Sequence, residues 1–178
     1  MSLENLFIYF EHYDARVLNV FACQGNEPTE ADVAAFEQRV GFRLPEEFRT
    51  FTKSPLGGLY VEVKEQLWPR PKANDAGAFW TFLFGLKVFG ISTNVPPWLD
   101  LRTQYEAFCE KGAGGLVPFF QFVTDPRAYC FDSAGRIIAW TPDDPDERRV
   151  IPMTFSDLLM RELLELEERQ AMKRAQQR

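Results

Sequence analysis

The stretch LPEEFRTFTKSPLGGLYVEV, Leu44 to Val63, sets out a helix, a stop and a strand in twenty residues. Pro45 suits the first position of a helix, where its missing amide hydrogen costs nothing and its fixed φ is already near the helical value. Phe48 and Phe51 lie three residues apart and so face the same core. Glu46 and Glu47 are adjacent, diverge around the helix, and complement its dipole rather than pair as acid and base. SPLGG, Ser54 to Gly58, stops the helix and allows positive φ. LYVEV then alternates apolar and polar residues as a half-buried strand does.

Outward from this stretch, the same rules extend in both directions. Upstream, Thr29 caps a helix and Asp32, three residues on, completes a capping box. Val33, Phe36 and Val40 form its buried stripe, and Gly41 ends it. Nearer the N-terminus, Leu3, Leu6, Phe7, Phe10, Val17 and Val20 recur close to helical spacing, which predicts a helix from Leu3 to about Val20. Downstream, Lys64 to Ala78 has a loop composition, with Pro69, Pro71, Asn74, Asp75 and Gly77. FWTFLFGLKVFGI, Phe79 to Ile91, reads as strand with a break near Gly85 or Gly90. Pro96 and Pro97 precede a helix on which Trp98, Leu101, Tyr105 and Phe108 share a face, and Gly112 ends it. LVPFFQFV, AYCFD and RIIAW form an antiparallel meander, with Asp132 to Gly135 a type I turn. Thr154 and Asp157 make a second capping box, opening a helix that turns Phe155, Leu158, Leu159, Leu163 and Leu166 inward. Beyond Glu167 that helix is wholly polar and is expected to fray. With no internal repeat, the fold class expected is a single α+β domain of helices on an antiparallel sheet.

A chain of 178 residues fits one domain, and its 17 phenylalanines predict an aromatic core. With 26 acidic against 20 basic side chains the net charge is -6, which argues against a general grip on nucleic-acid phosphates and favours a basic protein partner. No apolar run approaches the ~18 residues that span a bilayer, so no membrane role is expected. LFIYF lacks the basic flank of a signal peptide. Cys23, Cys109 and Cys130 are odd in number and form no CxxC pair, which points to a reducing, cytoplasmic setting.

The chemical inventory is thin. His12 is the only histidine, so a Ser or Cys nucleophile has no evident base. Cys130, inside an apolar strand, reads as a small core residue. GAGG, Gly112 to Gly115, follows a helix and precedes a strand, the reverse of a phosphate cradle. DDPDE, Asp143 to Glu147, lacks the spacing of a calcium loop and reads as a solvated acidic loop. Trp68 in LWPRP is either packed under its loop or exposed as an anchor, whereas Trp80, Trp98 and Trp140 sit on apolar elements and read as core. No catalytic, cofactor-binding or metal-binding residue is expected.

PTEADVAAFEQRVGFRLPEEFRTFTKSPLGG, with Phe36-Glu37, Gly41, Leu44-Pro45, Phe48, Phe51 and Gly57-Gly58, resembles the N-terminal signature of the SUKH superfamily. These are bacterial immunity proteins related to the yeast regulators of cell-wall glucan synthesis. LVPFFQF, AYCFD and RIIAW resemble a second block of the family. The resemblance spans 28–166, leaving 1–27 as an extension expected to be helical and packed on the domain, and 167–178 as a polar helix end. It implies an α+β fold with a central, mostly antiparallel sheet flanked by helices. It also implies a non-enzymatic role in binding and neutralising a cognate toxin, often a nuclease; the alternative is a regulatory scaffold with several partners. For the interface the expectation is Asp143, Asp144, Asp146 and Glu147 as electrostatic contacts, with Trp68 and Tyr60 as apolar anchors.

Overall fold

Three glycines govern how the N-terminal helices meet the sheet. A Cβ on Gly90 would lie 2.3 Å from the Gly58 nitrogen and 2.7 Å from its Cα, and one on Gly57 would lie 2.2 Å from the Thr52 carbonyl oxygen. Gly58 also holds φ at 73°, where an L side chain is strained. The SPLGG turn therefore runs backbone against backbone across the FGI segment, and no other residue type fits at the crossing.

A computed structural model describes residues 2–71 and 78–176. Around the glycine crossing the elements follow in order: α1 (Leu3–His12), β1 (Leu18–Phe21), α2 (Glu30–Val40), α3 (Glu46–Thr52), β2 (Leu59–Val63), β3 (Gly85–Val88), α4 (Leu101–Glu110), β4 (Val117–Phe122), β5 (Ala128–Phe131), β6 (Ile137–Thr141), β7 (Asp144–Ile151) and α5 (Phe155–Gln176). The strands form one seven-stranded sheet whose spatial order is the chain order, every neighbouring pair antiparallel. The fold is thus the expected α+β class.

Cross-strand partners share a face, so the register sorts the side chains into two sets. Leu59, Val88, Phe120, Tyr129 and Ala139 lie on one face, where α3 and α5 pack. There Phe48 meets Phe119, Phe131 and Phe155 with ring centroids 5.9, 5.2 and 5.4 Å away, and Phe119 stacks on Phe131 at 4.1 Å. The second face is covered only in part. Phe108 of α4 and Leu116 close over Ala128, Cys130, Ile138 and Trp140 as a smaller separate cluster.

Polar contacts hold the helices in place. Arg49 of α3 is buried and ion-paired to Glu30 and Glu37 of α2. The Thr29–Asp32 capping box forms, and Gly41 closes α2 in the left-handed conformation. Glu47 reaches α5, where its carboxylate accepts the Ser156 amide at 3.2 Å and the Ser156 hydroxyl at 3.1 Å. Tyr9 of α1 donates to Glu167 of α5 at 2.7 Å, and Leu6 and Phe10 bury the inner side of α1. The polar end of α5 runs on to Gln176, with Gln170 buried.

Four sequence expectations are corrected. The N-terminal helix stops at His12 rather than near Val20, and the second half of that segment is β1, because its pairing satisfies the edge of β2, which a longer helix would leave unpaired. Phe79 to Ile91 is strand only over Gly85–Val88; Phe79–Phe82 is a 3₁₀ turn that wraps Trp68, whose indole donates to the Thr81 carbonyl at 3.0 Å. A continuous apolar run has no period to separate these states. Trp98 lies before α4, which starts at Leu101 under the Asp100 cap, and it is exposed. Asp144 to Glu147 belong to β7 rather than to a loop, although they stay on the surface. Asn74, Asp75 and Gly77, read as loop, lie outside the described residues.

Two predictions follow from the packing. Gly90→Ala should cost about 3 kcal/mol or more in urea denaturation, while Gly114→Ala, with open space around its Cβ, should stay within about 0.5 kcal/mol. Glu162 of α5 is buried against Tyr129 and Arg161, and burial raises its carboxyl above the usual range. A raised carboxyl favours the folded state below its ordinary pKa and loses that contribution as pH rises through the folded value. Glu162→Gln should therefore be at least as stable as wild type at pH 7.5, with wild type gaining on it as the pH falls toward 5. A variant clearly less stable at pH 7.5 would contradict this.

Candidate interaction surface

The uncovered part of the second sheet face carries one row of cross-strand partners, Phe21, Tyr60, Lys87 and Gln121, from β1 to β4. The row continues through Ala128 to Trp140, where the cover of α4 begins. Phe21 is 45% exposed, and Trp98, also 45% exposed, stands over the row. The Trp98 ring lies 6.4 Å from that of Phe21 and meets Tyr60 edge-on at 5.4 Å.

Local structure fixes this group. Pro96 and Pro97 stiffen the approach to Trp98. The Pro96 carbonyl then accepts the amides of Leu99 and Asp100 at 2.8 and 2.9 Å, and Gly90 donates to the Leu99 carbonyl at 3.1 Å. Trp98 is thus displayed on a tight turn tied to the glycine crossing. Tyr60 is held from beneath: its hydroxyl donates to Glu62 at 2.7 Å, and Glu62 is ion-paired to Arg70 at 2.7 Å. Burial and the Glu62 carboxylate push the Tyr60 phenol well above its ordinary pKa, so it remains a neutral donor. Rigid Trp and Tyr side chains ringed by polar groups have the make-up of an interface hot spot.

The expected site residues do not converge. Tyr60 lies in the aromatic group. Trp68 does not, and as an exposed anchor it is corrected: its ring is fully buried, edge-on to Trp80 at 6.1 Å, with its N–H satisfied by Thr81. The hydrophobic cost of exposing an indole decides in favour of packing. Asp143, Asp144, Asp146 and Glu147 are exposed at the β6–β7 turn and along β7. That is five strand spacings from Tyr60, about 24 Å along the sheet. Arg148 and Arg149 follow at once, so this edge carries a basic pair directly after its acidic run. Phe21, Lys87 and Trp98 were not anticipated. For Trp98 the available signal was Asp100, whose side chain accepts the Arg102 amide as an N-cap and so places Trp98 outside the helix.

A cleft of about 300 Å³ opens on the first face, between Phe120, Tyr129, Ala139 and the rim residues Glu147 and Arg149. It holds no histidine or cysteine. His12 is exposed on α1 and donates Nδ1–H to the Ile8 carbonyl at 2.9 Å. Cys130 is enclosed, and burial pushes its thiol far up. Among the described residues no group of three or more His, Cys, Asp or Glu could hold a metal ion, and no helix is long and apolar enough to cross a membrane.

Residues 27–161 match the model of the SMI1/KNR4 family (SUKH-1). No curated protein matches the chain.

The two tryptophans separate the packed ring from the displayed one. Trp68→Ala should cost about 3–5 kcal/mol, whereas Trp98→Ala should cost under about 1 kcal/mol, both read from urea midpoints. Equal losses would mean that Trp98 supports the fold.

Proposed function

The chain belongs to the SMI1/KNR4 family (SUKH-1), and from that premise we propose that it is a protein-binding module that neutralises a cognate toxin by occupying it rather than by catalysis. The observation that carries the reading is the preorganised aromatic group of Phe21, Tyr60 and Trp98 on an uncovered sheet face. Large rings left in water cost free energy, and a partner that covers them recovers it. Because Trp98 and Tyr60 are already fixed, little side-chain entropy remains to be lost on binding.

The net charge of -6 favours encounter with a basic toxin and would be felt over about a Debye length in physiological salt, roughly 8 Å. The acidic residues of β7 add to that field from the far edge. In this reading they raise the association rate, while the aromatic group sets the lifetime of the complex.

Co-expression in a sensitive host with a toxin domain encoded beside the gene tests the proposal. The chain should restore growth, and Phe21→Ala with Trp98→Ala should weaken binding by about 100-fold while the protein stays folded. A folded chain that neither binds nor protects ends the toxin reading. Recovery of many unrelated metabolic proteins in pull-downs would replace it with the scaffold reading.

A further inference from the structure

Lys87 is the feature of the open face that the binding reading leaves unexplained. It sits in the row between Tyr60 and Gln121, half buried, with its ammonium 5.5 Å from the Phe89 ring centroid. Among the described residues it makes no ion pair. Its neighbours add to the problem rather than relieve it. Lys111, the C-cap of α4, stands close enough to repel it, and lies 5.8 Å over the Phe108 ring. Glu62, on the same face of β2, is already bound to Arg70 and to the Tyr60 hydroxyl. An otherwise acidic protein thus carries a small positive site beside its exposed rings. Burial, and then Lys111, hold the Lys87 ammonium below its ordinary pKa.

Any macromolecule that covers Phe21, Tyr60 and Trp98 takes Lys87 further out of water. Burying an ammonium without a counter-charge opposes binding and offsets much of what the rings contribute. A neutral or basic segment would leave that cost unmet, whereas a carboxylate would supply the missing partner.

We propose that this face receives an acidic segment of a partner protein, with a carboxylate seated on Lys87 and Lys111 and an adjacent apolar side chain against Tyr60 and Trp98. The inference rests on the reading of the chain as a partner-binding module and narrows what that partner presents. It does not conflict with a basic partner overall, since net charge acts at a distance and the lysines act at contact.

The test is an amide chemical-shift titration of the labelled full-length protein with two blocked peptides, one alternating Glu and Leu, the other alternating Lys and Leu. The acidic peptide should give saturable shifts centred on Tyr60, Lys87 and Trp98, and the basic peptide none there. Lys87→Met should weaken the acidic peptide at least fivefold, and Lys87→Glu should reverse the preference. Equal binding of both peptides, shifts confined to another surface, or no saturable shift from the acidic peptide at millimolar concentration would each overturn the inference. Those outcomes leave the toxin reading standing, because protection in co-expression is scored separately.

Discussion

The backbone contact of Gly58 with Gly90 is the constraint from which the rest of the arrangement follows. It brings the turn after α3 into direct contact with the segment that links β3 to α4. With that crossing fixed, Phe48 and Phe51 enter the core from one side. From the other, the chain leaves Gly90 toward Leu99 and Leu101, whose backbone bonds to Gly90 place the start of α4. A side chain at the crossing would separate the two layers by more than any repacking of flexible groups could absorb.

The same constraint produces the asymmetry of the sheet. α3 and α5 cover one face with an aromatic cluster held by Glu47, Arg49 and Tyr9. α4, anchored at its N-terminus beside Gly90, covers only the β4 to β6 side of the other face. What stays open is the β1 to β4 side, where the Pro-Pro-Trp turn leaves Trp98 over Tyr60. The exposed rings are therefore a geometric consequence of where α4 begins.

The two faces also differ in the groups they expose. The first face has a cleft whose floor is Phe120, Tyr129 and Ala139 and whose rim carries Glu147 and Arg149. The second offers the rings of Phe21, Tyr60 and Trp98 and, among the described residues, an ammonium with no ion-pair partner. A surface of this kind suits the binding role proposed above, which recognition by shape and counter-charge would serve.

The local elements were legible because their causes are local. Thr29 with Asp32, Gly41 and the alternation of LYVEV each act within a few residues, and each appears where those rules place it, while Pro45 stands one residue outside its expected place, as the N-cap of α3 with ψ 139°. The family was legible for the same reason, since its signature is made of caps, core phenylalanines and turn glycines. The exposed aromatic group was not, because it depends on residues distant in sequence. Tyr60 meets Phe21 and Lys87 only through strand register, and Trp98 reaches Tyr60 only because Gly90 ties its turn to the sheet. Trp68 and Trp98 look alike in sequence, each an aromatic beside prolines. The sequence by itself determined which segments are helix or strand wherever caps and periodicity speak. Tertiary structure alone decided which rings are covered, because burial depends on the packing of segments brought together across the whole chain.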